Sequence, residues 1–124
     1  MRGSKNDIPV TIEDAGVVIQ EAVWDDIHVS FETFEQALDT TPLHRGLPDD
    51  SCQCLHWGYV LAGLVRVVYK DREEVLHAGD AYYMQPGHNA IYGPGTQTIE
   101  FSPNDQFQAM MEVVIRNIEA TEQA

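Results

Sequence analysis

The chain has 124 residues, 44% hydrophobic and 22% charged, which suits one folded domain with a buried core and not a disordered segment. Its 20 acidic side chains outnumber 7 basic ones, for a formal net charge of −13 that would repel phosphate backbones and anionic lipid. Nucleic acid and membrane surfaces are therefore not expected partners, and no apolar run approaches the roughly 18–20 residues that span a bilayer.

Residues 1–14 turn polar at once behind Met1, with no apolar leader core, so they read as an N-terminal arm on a cytoplasmic protein. Residues 17–23 and 27–34 are runs of β-branched and aromatic side chains separated by Trp24-Asp25-Asp26, the pattern of two strands with a tight connection. Pro42, Gly46 and Pro48 punctuate 40–50 as an ordered loop. Strand-like runs then follow at 56–61, 64–69, 73–76, 81–84 and 98–101. Turns at Gly63, Lys70-Asp71-Arg72, Ala78-Gly79-Asp80, Pro86-Gly87 and Gly93-Pro94-Gly95 separate them. Such dense turn signals predict a closed or sandwiched antiparallel sheet. In the tail Phe107, Met110, Met111, Val114, Ile115 and Ile118 recur at helical spacing, which predicts an amphipathic helix over 104–120. The expected organisation is one domain over 1–124, with the arm at 1–14, a barrel over 15–103 and the helix behind it.

Within 52–101 three segments carry a family resemblance: His56-Trp57-Gly58-Tyr59-Val60-Leu61-Ala62-Gly63, Glu74-Val75-Leu76-His77-Ala78-Gly79-Asp80 and Gln85-Pro86-Gly87-His88. In order and spacing they resemble the cupin superfamily, its small single-domain members in particular. The resemblance implies an all-β fold: a small antiparallel jelly-roll-like barrel with a C-terminal helix, holding a small molecule in its interior, and a homodimer. It also implies a divalent metal held by two histidines, a glutamate and a last histidine. Carried over by position, the two histidine places fall on Asp50 and Cys52, the glutamate place on His56 and the last histidine place on Ala90. None of the four matches.

Other residues offer replacements. Asp50, Cys52, Cys54 and His56 share one parity, so a regular strand would aim all four at one face, with His88 on the neighbouring turn. Cys52, Cys54, His56 and His88 are thus the candidate metal ligands, for zinc first and then iron or copper. His56 and His88 are the candidate general acid/base residues. On a regular strand Cys52 and His56 would stand about 13 Å apart, so not all could reach one ion without a bulge. The two cysteines are too close in sequence for an ordinary disulfide; they read as packed thiols, as ligands or as a reactive thiol. His28, His44 and His77 have no partner pattern and are expected in loops or on the surface. Trp57, Tyr59, Tyr82, Tyr83 and Tyr92 read as core packing, or as walls of a ligand cavity. The expected function is small-molecule binding at a non-standard Cys/His site. The alternatives are a metal-dependent oxygenase, isomerase or lyase acting on a small organic substrate, and an interaction protein that dimerises through its N-terminal strands and C-terminal helix.

Overall fold

Between Val10 and Pro103 the computed structural model, which describes residues 1–122, is built mostly from antiparallel strands. They are β1 (Val10–Asp14), β2 (Val17–Trp24), β3 (Ile27–Phe34), β4 (Leu38–Asp39), β5 (His56–Ala62), β6 (Leu64–Val68), β7 (Glu73–His77), β8 (Ala81–Met84), β9 (Asn89–Tyr92) and β10 (Thr96–Pro103). Helix α1 (Asn104–Glu122) closes the described chain, and short 3₁₀ helices at Thr41–His44 and Pro48–Asp50 lie between β4 and β5. β1-β2-β3-β10-β5-β8 form one sheet and β4-β9-β6-β7 a second. Val60, Val65, Val67, Met84, Ala90, Tyr92 and Phe34 are buried together as the core of the closed or sandwiched antiparallel sheet that the turn pattern predicts.

Several boundaries and placements differ from the sequence expectation. The segment 1–14 is not a free arm: Val10–Asp14 pairs with β2, and Gln20 Nε2 donates to the carbonyls of Lys5 (2.7 Å) and Ile8 (2.9 Å). An edge strand with one half-buried face shows too little alternation to read from sequence. β4 and β9 also escape that reading, being two and four residues long. Residues 50–55 do not continue β5. Asp49 and Asp50 take left-handed backbone at φ 55° and 51°, and the strand begins only at His56. The parity argument for Asp50 fails for that reason, and Asp50 is exposed, with its carboxylate accepting from Gly46 N–H at 3.0 Å. His28 and His44 are buried rather than superficial; each has a polar partner, so burial need not leave a ring nitrogen unpaired. Tyr82 and Tyr92 are core residues, whereas Trp57, Tyr59 and Tyr83 lie exposed on the outer sheet face, where Trp57 and Tyr83 stack. Among the described residues, no helix is long and apolar enough to cross a membrane.

The helix is fixed to the larger sheet through one buried imidazole. His28 stacks on Phe107 with ring centroids 3.6 Å apart and planes within 14°. On the adjacent strand Glu21 Oε2 lies 2.5 Å from His28 Nε2 and sets the ring's orientation. The hydrogen bond to His28 holds the Glu21 carboxyl below its usual 4.5. Because the folded value is depressed, the stabilisation is complete above the unfolded value and is lost as pH falls through the lower folded one. Glu21→Gln is therefore expected to cost about 1–2 kcal/mol at neutral pH, as loss of a charge-assisted hydrogen bond would. The difference in melting temperature from the parent should close as melts are taken from about pH 7 to about pH 3. A gap independent of pH would show that Glu21 acts through packing alone.

Candidate functional site

A cavity of about 530 Å³ opens between the two sheets and beneath α1. Its walls are mainly apolar, with Ile19 and Phe34 from the large sheet, Ala90 and Tyr92 from the small one, and Met110 and Val114 from the helix. That volume falls within the range of small-molecule sites. The apolar face of α1 that sequence periodicity predicts is thus the cavity's lid, apart from Ile115, which is exposed.

A polar band crosses the inner wall of the large sheet. Strand register places Glu21, Ser30, Glu100, Gly58 and Tyr82 side by side on β2, β3, β10, β5 and β8. Tyr82 reaches over Gly58 and donates its hydroxyl to Glu100 Oε1 at 2.8 Å. Glycine is required there: a Cβ would stand 2.4 Å from the Tyr82 hydroxyl and 2.5 Å from the Ile99 carbonyl oxygen. In the next row Thr98 donates to Glu32 Oε1 at 2.9 Å. Burial drives the Glu100 carboxyl up to about 7, and burial together with the neighbouring Glu100 raises Glu32 well above its usual value. Burial also keeps the Tyr82 phenol protonated, and so a donor.

At one end of this band three donor atoms converge. Cys52 is joined to His88 by backbone pairing, with Cys52 N–H donating to His88 O at 2.8 Å and His88 N–H to Cys52 O at 3.2 Å. This isolated bridge, and not a shared strand, brings the thiol to the histidines. Cys52 Sγ lies 3.5 Å from His56 Nε2, and one ligand atom from each of Cys52, His56 and His88 falls within 4.8 Å of the others. The three are almost fully buried, at 1%, 5% and 2% exposure. Burial pushes both imidazoles down to about 3 and the Cys52 thiol up to about 12, so without a cation all three are neutral near pH 7.

The outer partner of His88 sets its tautomer. His88 Nδ1 lies 2.6 Å from the Gln85 carbonyl, which only accepts, so Nδ1 carries the proton and Nε2 is bare. His56 Nδ1 lies 2.6 Å from Ser102 Oγ and 3.4 Å from Glu100 Oε2, and its Nε2 lies 3.5 Å from Cys52 Sγ. One thiol and two imidazoles are the donor set of zinc, with the carbonyl and carboxylate behind them in the usual supporting roles. The family's own four places do not fit a metal here, because Asp50 is outside the cavity and Ala90 has no donor atom. The displaced set fits in donor chemistry.

Of the residues singled out from sequence, Cys52, His56 and His88 are brought together, and Cys54 is not. Its thiol points to the Leu55 carbonyl at 3.4 Å and packs under α1 with Phe107 and Met110; burial raises it to about 12. Sequence reading missed Glu32 and Glu100, and it placed Tyr82 only as core packing or a cavity wall, not as the partner of Glu100. The available signal was an acid at an inward position of an otherwise Thr/Ser/apolar alternation, Thr96-Gln97-Thr98-Ile99-Glu100-Phe101-Ser102.

Among solved structures the chain is similar to an RmlC-like cupin from Shewanella frigidimarina, at 18% identity and a TM-score of 0.59 over 82% of this chain and 88% of that one. A protein of unknown function from Rhizobium leguminosarum bv. viciae gives 15% identity and a TM-score of 0.59 over 82% and 94%. KdgF from Halomonas sp. gives 15% and 0.53 over 81% and 92%. Identities this low establish the cupin fold alone, and no curated protein matches the chain. The family model for the AraC-like ligand binding domain matches residues 39–112, from the short strand β4 through the first half of α1. With more than half its length matched and the barrel in place, this chain belongs to the AraC-like ligand binding domain family, on a cupin fold.

Proposed function

We propose that the domain binds a small organic molecule with an apolar body inside its barrel. The observation that carries this reading is the cavity of about 530 Å³, walled by aliphatic and aromatic side chains and marked by a few partnered polar groups on one side. Apolar burial would supply most of the affinity, at about 25 cal/mol per Å² removed from water, and the polar band would fix orientation. Met111 lines the cavity from α1 and is only half-buried, so a larger side chain there can fill the space without recasting the core. The uncharged fluorophore N-phenyl-1-naphthylamine should bind wild type saturably at one site, and Met111→Trp should lose that binding while keeping its far-UV circular dichroism. Unsaturable uptake, or equal uptake by the variant, would refute binding in the barrel.

A second reading, a metal-dependent enzyme acting on a small organic substrate, is favoured by the convergence of Cys52, His56 and His88 at the cavity wall. A divalent ion held there would supply Lewis acidity to a bound molecule. The chain's own residues would orient it: Gln85 O through His88, and Ser102 Oγ with Glu100 through His56. Calorimetric titration of untagged protein with zinc should show one site. Cys52→Ala and His88→Ala should each weaken it by more than the roughly 10–100-fold that outer partners typically cost. Cys54→Ser should leave it unchanged. Absence of stoichiometric binding in wild type would remove the metal reading and leave the ligand cavity standing.

A further inference from the structure

The cavity wall carries a charge pattern that names the class of its ligand. Its lining residues include Asp14, Glu32 and Glu100 but, among the described residues, neither lysine nor arginine. Glu21 has His28 as its partner, whereas Glu32 and Glu100 take only single hydroxyl donors, Thr98 and Tyr82, with His56 Nδ1 at 3.4 Å from the second oxygen of Glu100. Two carboxyl groups therefore face an apolar space with no fixed cation beside them. A buried carboxylate is ordinarily paired, because an isolated one is costly to remove from water.

An independent observation lies between them. Ser30 stands opposite Glu100 in the β3–β10 ladder and two residues before Glu32 on the same face of β3. It is 1% exposed, and its Oγ is a buried side-chain oxygen without a hydrogen-bond partner. Buried hydroxyls are almost always paired, so an orphan at this position marks a place for a donor. A primary ammonium has three N–H donors and no acceptor, matching two carboxyl groups and one hydroxyl.

We propose that the ligand of this cavity is an organic cation: a primary ammonium on a compact apolar body, with nitrogen at Glu32 and Glu100, beside the unpartnered Ser30, and hydrocarbon against the helix and the small sheet. The inference rests on the cavity-binding reading above and narrows its substrate class. The net charge of −13 acts in the same direction, drawing cations to the molecule before contact.

Matched probes test it: cyclohexylamine, cyclohexanol and cyclohexanecarboxylate, titrated calorimetrically into chelator-treated protein so that coordination to a metal contributes nothing. The amine should bind at least about tenfold more tightly than the alcohol, with the carboxylate weakest. Glu32→Gln and Glu100→Gln, which keep the shape and a hydrogen-bonding oxygen, should each reduce the amine-to-alcohol ratio by about tenfold. If Glu100→Gln fails to fold, the ratio in Glu32→Gln, at the half-buried position, still decides. Amine and alcohol binding alike would overturn the cationic ligand and leave the cavity reading intact. An amine preference undiminished in Glu32→Gln would overturn the assignment to this wall. No binding of any probe would overturn the cavity reading along with it.

Discussion

The hydrogen bond from Tyr82 to Glu100 is the constraint on which the interior depends. A carboxyl at 4% exposure in a small barrel has to be partnered, since an unsatisfied buried polar group costs about 1–3 kcal/mol. Its partner comes from two strands away, and the strand between can be crossed only where it has no side chain. Gly58 is that gap. The row therefore fixes the register of β10, β5 and β8 together. A slip of one residue would bring a tryptophan or tyrosine into the gap and turn Glu100 to the outer face. The same register carries Ser102 to His56, and so sets the imidazole that meets Cys52.

The opposite wall is held by a different set of polar contacts. Asn117 on α1 donates to the carbonyls of Leu43 (2.7 Å) and Arg45 (2.9 Å), clamping the 3₁₀ segment to the helix. His44 in that segment meets Asn89 at the start of β9, and Thr40 accepts the Ala90 N–H. Helix, loop and small sheet thereby form one connected frame around the cavity, while His28 and Phe107 tie it to the large sheet. The cavity is open space between two rigid walls, which is why it can coexist with a small core.

What the sequence made legible was local. Turn residues at Gly63, Gly79, Gly87 and Gly95 have positive φ as their type suggests, and the paired runs flanking Asp25-Asp26 form β2 and β3. Helix α1 follows from its period. The site was legible in membership more than in geometry. Cys52, His56 and His88 were recognisable as donors, but the assumed strand parity grouped Cys52 with Cys54 and Asp50. Two consecutive left-handed residues and a single bridge to His88 decide otherwise, and both are tertiary facts. Glu32 and Glu100 lie 68 positions apart in sequence. Only the pairing of β3 with β10 makes them neighbours, so the alternation of β10 could point to Glu100 but not to its meeting with Glu32.

The topology also explains how a metal-type donor set and a ligand cavity share one barrel. His88 and Ala90 line the same cavity and have the same parity, one pleat repeat or roughly 7 Å apart along the chain. The resemblance puts the family's last histidine at Ala90; here the imidazole is displaced toward the Cys52 bridge and a methyl group remains in its place. His56, at the family's glutamate place, shifts the donors the same way, because its Nε2 is aimed at Cys52. The donors are thus gathered at the loop end of the barrel. Small side chains and the carboxyl band are left facing the middle.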